Sequence, residues 1–185
     1  RVLDQGGIEA TQVGEELQGL RRRPDVGGLI GLKVAPRVAL LFDYTSHWIG
    51  QIQPQGAGYS VIHECFRAYS ALRGLGLDVD VLPPSAPLAG YALIVLPALL
   101  NVSDPLAAVL RASDAQIVVG ARSGSKTEHL SIAEPLPPGP LAPLLGLTVQ
   151  RVESLPPGVA ETATFGSGSL HMQRWRERLA CEPAR

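Results

Sequence analysis

Four short stretches constrain this chain most, because each is strand-like and each is stopped within a few residues. Residues 38–42 read VALLF, a continuous apolar run that ends at Asp43. Continuity without alternation is the pattern of a strand buried on both faces. Residues 77–82 form a second strand, closed by Pro83-Pro84; residues 91–96 a third, closed by Pro97; and residues 116–120 a fourth, closed at Gly120. Between the first two, residues 59–74 predict a helix with Val61, Ile62, Cys65, Phe66, Tyr69 and Leu72 on one apolar stripe. His63, Glu64, Arg67 and Arg73 lie off that stripe, and Gly74 and Gly76 can end the helix. Asp104 is placed to cap a short helix with Pro105 in its first turn. A short helix at 141–145 and a strand at 148–155 complete the regular part. Strands alternating with helices predict an open, mostly parallel α/β sheet with helices on both faces.

In such sheets the functional groups gather at the carboxyl ends of the strands. Two segments fall there: residues 43–56, read as a loop carrying Tyr44, His47, Trp48 and the glutamines 51, 53 and 55, and the GARSGSKTE loop at 120–128. Residues 1–36 differ from the rest of the chain. Val13, Leu17 and Leu20 have helical spacing within residues 8–20, and RRRPDVGG then reads as a linker, so the first domain boundary is expected near residue 36. Arg21, Arg22 and Arg23 suit a solvated helix end better than a phosphate patch. The chain does not begin with Met, which reads as a piece of a longer protein.

Composition removes several function classes. With 185 residues the chain can bury a sizeable core, and a formal charge of −1 offers no field for nucleic acid or anionic lipid. No apolar run is long enough to span a bilayer. The two cysteines, Cys65 and Cys181, form no CxxC pair, and His47, His63, His129 and His171 are scattered, so no metal or cofactor set is expected. Two structural thiols suit a reducing, cytoplasmic setting.

The residues show no catalytic constellation. GARSGSKT approaches the phosphate-cradling loop at Gly120, Lys126 and Thr127, but Ser125 stands where a glycine is needed, and EHLSIAEPLPPGP cannot open the required helix. Cys65 lies on a helix stripe rather than a glycine-flanked elbow, and His63, two residues away, points elsewhere. Asp43, Glu64, Glu128 and Glu134 have no spacing that pairs any two as acid and base. The run from Arg174 to Arg178 reads as an exposed edge of alternating charge rather than a base-stacking platform.

Three segments in order carry a resemblance: VALLFDYTSHWIGQIQPQG, LRGLGLDVDVLPPSAPLAGYALIVLPAL and GARSGSKTEHLSIAEPLPPGPLAPLLGLTVQRVESLPPG. They resemble the middle, trimerisation domain of glycoside hydrolase family 42 β-galactosidases, over about residues 37–179. The resemblance implies a flavodoxin-like or class I glutamine-amidotransferase-like fold lacking that fold's catalytic residues, and a homotrimer in the parent. It makes residues 1–36 the tail of a (β/α)₈ barrel plus linker, and residues 37–185 the trimerisation domain, shortened at its C-terminal end. The parent family hydrolyses terminal β-D-galactosides with barrel glutamates that would precede Arg1, so no catalytic residue carries over, and substrate would be met only through the barrel. Trp48, Gln53, Gln55, Arg122, Lys126 and Glu128 keep the family pattern and are expected to order loops or face a subunit. Thr45, Gln51 and His129 stand where members often have acids. Two alternatives from other classes are an autonomous amidotransferase-like enzyme using Cys65 and an anion- or small-molecule-binding domain using the 120–128 loop.

Overall fold

The computed structural model describes residues 37–129, 131–166 and 168–181. The expectations for residues 1–36, a helix at 8–20 and a linker, lie outside the described residues. Strands β1 (Val38–Leu41), β2 (Val79–Leu82), β3 (Leu93–Leu96) and β4 (Gln116–Val119) form one parallel sheet in the order β2-β1-β3-β4. Val38 sits between Val79 and Leu93, and Leu93 is in register with Gln116. All four residues of β1 are buried, as a continuous apolar central strand requires.

Alternate residues of β1 feed two cores. Ala39 and Leu41 join Ile94, Leu96 and Leu106, Ala107 and Leu110 of helix α3 (Asp104–Arg111). Leu40 points the other way, with Ile49 of helix α1 (Tyr44–Ile52) and Val61 and Cys65 of helix α2 (Val61–Gly74). A 3₁₀ turn (Gly139–Leu141) runs into the short helix α4 (Ala142–Leu145), and Leu141 is fully buried in the first core. The remaining strands are antiparallel. Strand β5 (Leu147–Ser154) pairs with β8 (Trp175–Cys181) with a bulge between Val149 and Arg151, and β6 (Glu161–Phe165) pairs with β7 (Gly168–Met172).

The expected fold class is therefore corrected. Among the described residues the parallel sheet is confined to four strands of four residues each. More strand residues lie in the two antiparallel ribbons, so the domain is a small strand-rich fold and not a mostly parallel flavodoxin-like or amidotransferase-like sheet. The physical reason lies after residue 146, where β5 buries Val149 alone and leaves Gln150, Arg151 and Val152 exposed, a composition that suits a half-solvated ribbon and not a strand buried on both faces.

Three local expectations also change. Most of the 43–56 segment is helix, with loop only from residue 53: Asp43 caps α1, its carboxylate accepting from the Ser46 N–H at 2.8 Å and the Ser46 hydroxyl at 2.6 Å. In α3 the cap is Ser103, whose Oγ accepts from the Leu106 N–H at 3.3 Å, and Asp104 occupies the first turn with Pro105. The apolar stripe of α2 is wider than its buried face, because Val61 and Cys65 are buried while Ile62 and Phe66 are exposed.

Candidate functional site

The most connected polar cluster grows from the loop after β4. Gly120 can hold this loop against the segment after β3 only because it lacks a side chain: a Cβ there would lie 2.0 Å from the Pro97 carbonyl oxygen. Gly124, at φ +67°, is pressed against Pro138 at the same 2.0 Å. Between them Arg122 adopts a left-handed φ of 68° and is only 3% exposed. That backbone turns its guanidinium inward. Nη1 donates to the Pro54 carbonyl at 2.8 Å, and Nη2 to the Gln53 carbonyl at 3.2 Å and to Gln55 Oε1 at 3.3 Å.

The flat face of the same guanidinium lies 4.1 Å from the Tyr59 ring centroid and 5.0 Å from that of Trp175. Its main-chain N–H donates to Glu177 Oε1 at 2.9 Å, which also accepts from Trp175 Nε1 at 2.8 Å. Burial lowers the pKa of Arg122, and the negative charge of Glu177 works against that shift. Burial likewise pushes the Tyr59 phenol up to about 12, opposed by the Arg122 charge. The Tyr59 hydroxyl meets no partner with good hydrogen-bond geometry among the described residues, although the Arg122 guanidinium over its ring lies near enough to favour the phenolate.

Lys126 is the second buried cation, and its Nζ donates to Gln53 Oε1 at 2.8 Å while its backbone N–H donates to the Leu100 carbonyl. Two buried hydroxyls complete the framework. Ser46 Oγ accepts from the Leu100 N–H at 2.9 Å, and Ser123 Oγ accepts from the Leu99 N–H at 3.2 Å. Further along the chain, Arg176 of β8 reaches Glu153 on β5 and Glu161 on β6, pinning one ribbon to the other. Its hydrogen bond holds the Glu153 carboxyl below the usual carboxylate range.

Of the six residues singled out from sequence, the structure brings four together: Gln53, Gln55, Arg122 and Lys126. Trp48 stands apart on α1, 57% exposed and 6.1 Å from the Tyr44 ring. Glu128 is exposed, with His129 at 3.6 Å as its neighbour. Tyr59, Trp175, Glu177, Ser46 and Ser123 were missed. No local pattern marks them, and only the unexplained pairing of Trp175 with Glu177 two positions on could have drawn attention.

The geometry supports neither alternative reading. Cys65 is buried on the inner face of α2, and that burial, with Glu64 and Asp43 nearby, pushes its thiol up to about 11, the reverse of an activated nucleophile. In the 120–128 loop both cations point into the protein and are spent on Gln53, Pro54 and Gln55, leaving neither for an anion. Among the described residues no cluster of His, Cys, Asp or Glu could hold a metal ion, and no helix is long and apolar enough to cross a membrane.

A family model described as β-galactosidase trimerisation domain matches residues 36–185. The chain belongs to that family. A β-galactosidase of Thermus thermophilus is 48% identical over 174 residues, which cover 94% of this chain but 26% of the relative. The trimerisation-domain chain also superimposes on the β-galactosidase of the psychrophilic Marinomonas ef1 with a TM-score of 0.80, at 40% identity over 94% of this chain and 27% of that one. A β-galactosidase from the Antarctic haloarchaeon Halorubrum lacusprofundi gives a TM-score of 0.77 at 36% identity, covering 82% and 23%. The chain thus spans about a quarter of the length of the relatives it matches. These likenesses give the fold as that of the trimerisation domain and reinforce the correction of the flavodoxin-like expectation.

Proposed function

We propose that this chain is a non-catalytic assembly module of a β-galactosidase, associating with copies of itself as a homotrimer. The observation that carries the reading is the family match across residues 36–185, whose name is that of a self-associating domain. The inward commitment of Arg122, Lys126 and Cys65 supports it, because these side chains hold the domain's own loops and core. Residues 1–36 are then the end of a catalytic barrel with its linker, and residues 37–185 the module. Hydrolysis of terminal β-D-galactosides belongs to another part of the parent polypeptide, in the cytoplasm. Gln53, Gln55, Arg122 and Lys126 order the loops, and Trp48 and Glu128 belong to the surface that other subunits meet.

The test is sedimentation equilibrium of this chain over a wide concentration range, with a chromogenic β-galactoside assay of the same sample. A discrete trimer without turnover is expected. A monomer at every concentration, or hydrolysis by the chain alone, would overturn the reading.

A further inference from the structure

Helix α1 is built inside out. It buries the small residues Ser46 and Gly50 with Ile49, and turns Tyr44, Trp48 and Ile52, four apart, to the outside. The Tyr44 ring meets Phe42 edge-on at 5.2 Å and Trp48 at 6.1 Å, so the row is continuous with the strand end below it. On the other side, Phe42, Tyr44, Ile62, Phe66, Tyr69 and Val81 line an open groove of about 360 Å³ without a charged side chain among the described residues. Tyr44, Trp48, Ile52, Phe66 and Val81 are each more than half exposed.

The size of this surface decides what it is for. At roughly 150–250 Å² per aromatic side chain, the exposed shares of Tyr44, Trp48 and Phe66 alone come to about 300–450 Å² of surface, to which Ile52, Ile62 and Val81 add theirs. A typical monomer's largest such patch is about 300–600 Å², and a stable subunit contact needs about 800 Å² from each partner. We infer that the aromatic ridge of α1 and the adjoining α2 groove form the self-association surface of this domain, occupied by a second copy of this chain. The inference rests on the assembly reading above and adds the surface that performs it. A threefold ring is closed by heterologous contacts, so the ridge meets a different surface on the next copy and one substitution weakens all three contacts at once. The product of disruption is then monomer, not dimer.

The experiment compares the wild-type chain with Trp48→Glu on α1, Phe66→Glu on α2 and Val109→Glu, a half-exposed control on α3, by sedimentation equilibrium. Circular dichroism and urea midpoints verify folding for each. The two patch variants lie on separate helices, so a folding failure in one leaves the other to decide. The expected result is a trimeric wild type and control, with association weakened at least about 30-fold in W48E and F66E, the loss characteristic of a central aromatic anchor. A trimer that survives both substitutions would overturn the assignment and give the ridge to another partner, leaving the assembly reading intact. A wild-type monomer would overturn both.

Discussion

At the scale of single residues, Arg122 does the work of several. One guanidinium satisfies two carbonyls and an amide oxygen from residues 53–55 and fills the space between Tyr59 and Trp175. Lysine keeps the charge but not the planar fork, so Arg122→Lys is expected to destabilise by about 2 kcal/mol, the cost of leaving buried acceptors unmatched. Arg122→Gly relaxes the left-handed backbone yet loses every side-chain contact, and its urea midpoint is expected to fall below that of Arg122→Lys. Gly120 is the stricter position. The Pro97 carbonyl that a methyl would strike is backbone and cannot swing aside, so Gly120→Ala is expected to cost at least about 3 kcal/mol by urea denaturation.

At the scale of elements, the cap on α1 ties a helix start to the segment after β3. Asp43 holds Ser46, and Ser46 in turn satisfies the buried Leu100 N–H. Ser46→Ala removes that acceptor and is expected to cost about 1–3 kcal/mol, whereas Asp43→Ala removes the cap and the partner of the Ser46 hydroxyl but spares the Leu100 bond, and is expected to cost about 1 kcal/mol. Thermal melts of the two variants give the comparison. The strands and α2 were legible because burial writes itself into local apolar pattern. Strand β1 is the clear case. Helix α1 was not legible, because its inner face is made of small residues and its large apolar residues face outward, so the usual helical stripe is inverted. The β5–β8 ribbon was hidden for a different reason: its pairing joins residues 147–154 to 175–181, and no local window holds both. The Arg122 cluster shares that difficulty, since its members run from residue 53 to residue 177.

At the scale of the molecule, two neutral acids sit where folding keeps them protonated. Cys65 is raised from its ordinary 9.0 to about 11 and Tyr59 from 10.0 to about 12, each chiefly by burial. The unfolded chain therefore ionises first, and stability falls with rising pH. The contribution is intact below pH 9.0 and disappears as pH climbs through about 11 for the thiol and about 12 for the phenol. Urea midpoints are expected to decline across that window, and a Cys65→Val variant to lose the thiol's part of the slope. The two thiols also separate by reactivity: iodoacetamide at neutral pH is expected to modify exposed Cys181 and to reach buried Cys65 only after unfolding.

The bond from the Arg122 N–H to Glu177 has a consequence for the order in which a newborn chain can settle. The parallel sheet is complete by Val119, so its strands can pair while the ribosome is still adding residues behind them. The lid over the guanidinium, Trp175 with Glu177, arrives only with β8. Until then Arg122 can reach residues 53–55 and Lys126 can hold Gln53, but the Trp175 side of the guanidinium stays wet. Emergence of β8 is thus the event that dries the fastening beside the aromatic ridge of α1.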